Sequence, residues 1–272
     1  MIFRRFAALP ATVAAFLVIA GAFKASAGEV NKLEARIEIF GFAGFHVLTN
    51  RTTIAESADR YAIAMDLDTR GLASVFVELT SHSEVHGVPT RDAYRPEAYR
   101  AEVRRNGLDR HYGVDYRGEG TVINASSPAP AGRPFLVTAQ QTRGSVDQLS
   151  AYFILEHQLA HRGTCALVVP VFDGSGLYNL RFTDATRETL AADGYQSFAG
   201  PTQVCEVTRE EIVVNPSPDE DTYRRGKIWY ARLVASDLML PVRMEFDTAF
   251  GTVTGYLAEL RGPDVHLHLT RE

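Results

Sequence analysis

The stretch CALVVPVFDGSGLYNLRF, Cys165–Phe182, decides the fold. Its central Asp173-Gly-Ser-Gly176 has the composition of a phosphate-holding glycine loop, a metal loop or a turn between two strands. Val169-Pro170-Val171-Phe172 runs into it, and Tyr178, Leu180 and Phe182 then alternate with Asn179 and Arg181 on the way out. A phosphate loop leads into a helix N-terminus. Here a strand follows, so the segment reads as a hairpin turn.

The same period of two recurs along the chain. Leu33, Ala35, Ile37 and Ile39 alternate with Glu34, Arg36, Glu38 and Phe40, and Val75, Val77 and Leu79 alternate with Phe76, Glu78 and Thr80. Further strands are predicted over His46–Ala55, Tyr61–Asp68, Tyr99–Arg105, Asp109–Tyr116, Ala166–Phe172, Leu177–Asp184, Gln203–Val213, Thr222–Ala235, Val242–Thr248, Thr252–Leu260 and Val265–Thr270. Asn106-Gly107, Asp173-Gly174, Asp193-Gly194 and Phe250-Gly251 supply turns. The pattern predicts a mainly β, antiparallel meander. Asn124–Pro134 and Asn215–Asp221 read as exposed loops.

One segment departs from this pattern. Ser145-Val-Asp-Gln148 has the form of a capping box, and Leu149, Tyr152, Phe153, Leu155, Leu159 and Ala160 follow at helical spacing, with Gly163 as the stop. The spacing predicts one long helix over Val146–His161 lying on the sheet. Leu149, Tyr152, Phe153 and Glu156 are the candidates for a ligand cleft or for packing of that helix. Glu156 lies within the apolar arc, so its carboxylate is expected to find an Arg or backbone amides.

The N-terminus carries Arg4 and Arg5, an apolar run through Phe23, and Ala25-Ser26-Ala27. This reads as a signal peptide, 1–27, cut after Ala27, with no membrane span afterwards. Residues 28–272 are then expected to form a single β-rich domain in the periplasm. The leader removes three basic residues and no acids. The mature chain therefore sets 25 Lys and Arg against 33 Asp and Glu, and the net charge goes from −5 to −8. Such a surface disfavours nucleic acid. The arginines between Arg91 and Arg117 are interleaved with Asp92, Glu97, Glu102, Asp109 and Asp115, a solvated strand face.

Cys165 and Cys205 are the only cysteines, and an exported chain is expected to join them as a structural disulfide. His82, Glu84 and His86 share one strand face, but at ~3.4 Å per residue the two histidines stand ~13 Å apart, too far for one metal. His157 and His161 are i and i+4 on the helix, yet Glu156 precedes the pair, unlike a zincin motif, and no third ligand follows. Both fall at the polar edge of the helical wheel. Asp219-Glu220-Asp221 lacks the spaced oxygens of a calcium loop. No nucleophile elbow, Walker or dinucleotide pattern occurs, and no metal or cofactor is expected.

Val171-Phe-Asp-Gly174 with Tyr178-Asn-Leu180, the helix opening Asp147-Gln-Leu-Ser150, and the ending Lys227-Ile-Trp229, Leu240-Pro-Val-Arg243 and Gly251 together resemble the bacterial family called domain of unknown function 3108. The resemblance covers about Arg36 to Leu260. It implies an exported, β-rich envelope protein with no catalytic residues to carry over. It also implies a strongly curved antiparallel sheet, a half-barrel or open barrel like that of the lipoprotein-carrier proteins, with one long helix packed on the concave side. Function is then expected in a non-catalytic binding or carrier module for a lipid or other apolar or amphipathic envelope component. A scaffold protein with a helix-filled barrel is the alternative, and an envelope-polymer hydrolase a third. Nothing in the sequence sets the oligomeric state.

Overall fold

The computed structural model describes residues 30–41, 44–71, 78–91, 93–118, 121–126, 137–174, 176–214, 224–235, 237–248 and 251–269. The leader 1–27, the alternation at Val75 and Val77, and the segment Asn215–Asp221 with its acidic run lie outside these residues.

The described residues carry fourteen strands and one helix. The strands are β1 (Asn31–Phe40), β2 (His46–Glu56), β3 (Tyr61–Thr69), β4 (Leu79–Pro89), β5 (Tyr94–Arg105), β6 (Leu108–Arg117), β7 (Thr121–Ser126), β8 (Leu167–Phe172), β9 (Gly176–Leu190), β10 (Gly200–Val214), β11 (Arg225–Ala231), β12 (Leu240–Thr248), β13 (Gly251–Gly262) and β14 (Val265–His268). The helix α1 spans Gln148–Arg162, between β7 and β8.

All fourteen join one antiparallel sheet in the order β7-β6-β5-β4-β3-β2-β1-β13-β12-β11-β10-β9-β8, with β14 on β13. Two meanders, β1–β7 and β8–β13, are therefore joined through the β1–β13 pair. The free ends of the order, β7 and β8, are consecutive strands in the chain, and α1 lies in the link between them. The sheet curls until these ends approach one another, giving a nearly closed barrel. β5 and β6 meet through Asn106-Gly107, both with positive φ (49° and 77°), as a two-residue type I′ hairpin requires.

Register places the alternating apolar residues in rows. Leu33, Ile54, Ile63, Val85, Tyr99 and Val114 stand opposite one another in turn across β1 to β6, and all six are buried. Each such side chain contributes roughly 1.5–3 kcal/mol when taken out of water. A second core gathers Val169, Val171, Tyr178, Leu180, Phe182, Val207, Ile228 and Tyr230 from the other meander.

α1 sits inside the curve between these two cores. Leu149 and Phe153 belong to the first, and Ala151, Leu155 and Leu159 to the second. The helix begins two residues later than the capping-box reading placed it. Asp147, not Ser145, is the N-cap, its Oδ1 accepting from the Ser150 amide at 2.9 Å. The reason lies in the neighbouring strand: Val146 is drawn into a parallel bridge with β8, its N–H donating to Pro170 O and its carbonyl accepting from the Phe172 N–H. A residue held extended cannot also open a helix. Gly163 closes α1 in the left-handed conformation, φ 65°.

Two other expectations change. Asn124–Ser126 belong to β7 and are not loop, and β5 starts at Tyr94, five residues before its predicted start. Among the described residues no helix is long and apolar enough to cross a membrane.

Candidate ligand-binding cleft

The C-terminal end of α1 is fixed to the sheet by a dense set of polar bonds. Cys165 and Cys205 form a disulfide, and both are wholly buried. Asp184 on β9 accepts from the Cys165 amide (2.8 Å), the Thr164 hydroxyl (2.5 Å) and Gln203 Nε2 (3.0 Å). The Cys165 amide, then the Thr164 hydroxyl, hold its carboxyl below the usual range. Gln158 Nε2 donates to the carbonyls of Thr164 and Ala166, both at 3.1 Å, and Arg232 Nη2 caps the Ala160 carbonyl at 2.9 Å.

This anchoring leaves a cleft of about 530 Å³ between the end of α1, the β9–β10 hairpin and the chain leaving β11. Leu159, Phe198 and Ala231, all buried, and the half-buried Met239 give it an apolar floor. Arg187, Glu188, Gln203 and Arg232 give it a polar rim. The Glu188 carboxylate accepts from Trp229 Nε1 at 2.8 Å, and Arg187 Nε donates to Gln203 Oε1 at 2.9 Å. Trp229, the only tryptophan, is thus bonded directly to a cleft residue.

The residues singled out in the sequence lie elsewhere. Leu149 and Phe153 are buried core; Tyr152 packs edge-on against Phe182, with ring centroids 5.6 Å apart. None of the four candidates lines the cleft. Glu156 is buried, but the described residues bring neither an Arg nor a backbone amide to its carboxylate. Burial alone pushes that carboxyl up to about 8, so the helix carries it as a neutral acid. Its main-chain oxygen accepts from the Met239 amide at 3.2 Å.

His157 was expected at a polar edge and is buried instead, because Tyr94 at the start of β5 covers it. Its ring stacks on Tyr94 at 4.4 Å and meets Phe153 edge-on at 4.6 Å. Glu56 Oε2 lies 3.3 Å from His157 Nε2, yet neither ring nitrogen has a hydrogen-bond partner among the described residues. Glu56 Oε1 accepts from Tyr94 OH at 3.0 Å. His161 is exposed and its ring is 6.1 Å from that of His157. Among the described residues no group of three or more His, Cys, Asp or Glu is placed to hold a metal.

His82, Glu84 and His86 are exposed on β4, with His82 Nδ1 2.7 Å from Asp66. Arg100 pairs with Asp115 and Arg104 with Asp109 on the same solvated side. At the other end of α1, Ser150 Oγ donates to Asp147 Oδ2 at 2.6 Å and lies 2.9 Å from Tyr61 OH. Burial, opposed by the Ser150 bonds, pushes Asp147 up to about 6. That serine completes a helix cap.

The fold can be set beside a solved structure, described as the crystal structure of a beta-barrel-like protein of domain of unknown function DUF1849 from Brucella abortus. It shares 10% identity with a TM-score of 0.49, over 86% of this chain and 98% of that one. No curated protein matches the chain. The family model described as "Protein of unknown function (DUF3108)" matches residues 36–258, and the chain belongs to that family.

Proposed function

We propose that the protein is a periplasmic, non-catalytic binding module that holds the apolar part of an amphipathic envelope component in the cleft beside α1. The observation that carries this reading is the cleft itself, about 530 Å³ with an apolar floor and a polar rim. Small-molecule sites typically measure roughly 300–1,000 Å³ and combine apolar walls with a few placed polar groups. The concave side of the sheet is occupied by α1, so the ligand sits at the end of the helix and not beneath it. The leader read in residues 1–27 supports the periplasmic setting.

A scaffold role, in which the barrel presents its outer face to a protein partner, is favoured by one observation: α1 is packed on both faces like a permanent core element. Two measurements separate the readings. A native mass spectrum of protein recovered from its own periplasm should show a bound amphiphile. Trp229 emission should change saturably with dodecyl maltoside below its micelle concentration, and Met239→Arg, which fills the cleft, should abolish the change. A clean apo mass together with a silent Trp229 would leave the scaffold.

A further inference from the structure

We infer that the cleft takes an amphiphile with a single tail, of the lysolipid type, and rejects one with two tails, an inference that rests on the binding reading above. Room is the first limit. A methylene displaces about as much space as a water molecule, ~30 Å³, so a cleft of about 530 Å³ holds a tail on the order of eighteen carbons. Two long tails need about twice that room. The larger apolar space of a curled sheet is its concave side, and α1 takes it up, with Leu149 and Phe153 in one core and Ala151, Leu155 and Leu159 in the other. Ala151 and Leu155 are wholly buried. A second tail therefore finds no path beneath the helix.

The walls are also held at their present spacing. The Cys165–Cys205 disulfide and the bonds of Gln158 to the Thr164 and Ala166 carbonyls fix the end of α1. The Met239 amide donates to the Glu156 main-chain oxygen at 3.2 Å, and Arg232 Nη2 donates to the Ala160 carbonyl, so the chain after β11 is tied to the same helix. In the β9–β10 hairpin Thr202 Oγ1 donates to the Glu188 carbonyl at 2.9 Å, and the Glu188 side chain accepts from Trp229. Widening the cleft for a second tail would break several of these bonds, each at a net cost, and would part a packed interior that resists expansion. A floor of Leu159, Phe198, Ala231 and Met239 between fixed walls matches one narrow chain.

The test uses the mature chain, Trp229 emission, and three probes kept below micelle concentration: dodecanoyl lysophosphatidylcholine, octanoyl lysophosphatidylcholine and dihexanoyl phosphatidylcholine. All three carry the same head group, neutral overall, so the charge of the rim does not enter the comparison. The dodecanoyl and dihexanoyl lipids also carry the same number of acyl carbons, so removal of tail from water favours them about equally and shape decides. The dodecanoyl lysolipid should bind at least about tenfold more tightly than the dihexanoyl lipid. It should also exceed the octanoyl lysolipid by at least about tenfold, since each methylene buried adds roughly threefold. Ala231→Leu, which raises the floor, should bring the two lysolipids to within about threefold while the octanoyl one still binds, showing that the variant is folded. Should that variant fail to fold, the parent's choice between one tail and two decides alone. Equal or tighter binding of the dihexanoyl lipid, or a length preference that survives Ala231→Leu in full, overturns the inference and leaves the cleft's role standing. Failure of every amphiphile removes both.

Discussion

The hydroxyl of Tyr116 on β6 donates to the main-chain carbonyl of Phe172 on β8 at 3.0 Å. β6 stands one place from one end of the sheet and β8 is the other end, so this single bond spans the seam of the barrel. Next to it the Phe172 amide donates to Val146. The outer edge of β8 is thus partly covered by the chain entering α1, which blunts it against pairing with other molecules.

Tyr116→Phe removes that hydroxyl and little else. Tyr116 is buried, and losing one buried hydrogen bond should lower stability by about 1 kcal/mol, up to about 2 if the carbonyl is left dry. Urea unfolding measures the loss, and amide exchange of Phe172 should quicken with it. No change in either would mean that the ends of the barrel are held by α1 alone.

The Cys165–Cys205 disulfide closes a separation of 40 residues. In the chain-entropy treatment a loop of that size is worth roughly 4 kcal/mol, often less in practice. Replacing both cysteines by Ala should therefore lower the unfolding midpoint while leaving the circular-dichroism spectrum intact, because two large cores remain. It should also loosen the cleft, since Gln203 and Asp184 are held beside this bridge. Two free thiols in freshly exported protein, found by non-reducing peptide mapping, would overturn the assignment.

Most strands and the helix are legible in the sequence because burial on one face leaves a period of two, and burial along a stripe a period near 3.6. Leu33 to Ile39 and Tyr178 to Phe182 carry the first signal; Leu149, Phe153 and Leu159 carry the second. Where other forces decide, the pattern fails. The end of β7 hides behind Asn124 and Ser126, residue types that also make loops. β11 is buried on both faces, Trp229 and Ala231 packing with the first core and Ile228 and Tyr230 with the second, so it shows no alternation of apolar with polar residues. The cleft was illegible as a site: Leu159 and Gly163 stood in the helix pattern and Gln203 and Ala231 in predicted strands, but these, Arg187, Phe198 and Met239 come from separate segments that meet only in the fold.

Phe153 joins the helix to the N-terminal meander, stacking on Tyr61 at 5.3 Å and meeting Tyr94 edge-on at 4.8 Å. Phe153→Ala should cost about 3–5 kcal/mol, and Phe153→Asp more, because it buries a charge. Gln158 would look like a neutral control from the helical wheel, but its two bonds to Thr164 and Ala166 make it a structural residue. The exposed Arg162 is the better one, and Arg162→Gln should stay within about 0.5 kcal/mol of the parent. Equal shifts for Phe153→Ala and Arg162→Gln would mean that α1 is a loosely seated lid.

Glu156 makes stability depend on pH in a direction opposite to that of a salt-bridged acid. Burial raises its folded pKa from 4.5 to about 8, so the folded protein holds the proton more tightly than the unfolded chain. Below about pH 4.5 both states are protonated and the group contributes nothing. Above that the unfolded chain gains by ionising, and stability falls until the folded carboxyl also ionises near 8. Asp147 acts in the same direction but lower, between 3.8 and about 6, so pH 6 to 8 isolates Glu156. There the parent should lose on the order of 1 kcal/mol per pH unit relative to Glu156→Gln, which keeps the shape and cannot ionise. Every other titrating group is common to both proteins, and the difference between the two curves removes its contribution. Urea midpoints at pH 6, 7 and 8 read the result directly: Glu156→Gln should be the more stable protein at pH 8, with an advantage that narrows toward pH 6. Parallel curves would mean that a partner compensates the charge on Glu156 and that the helix does not carry a neutral acid.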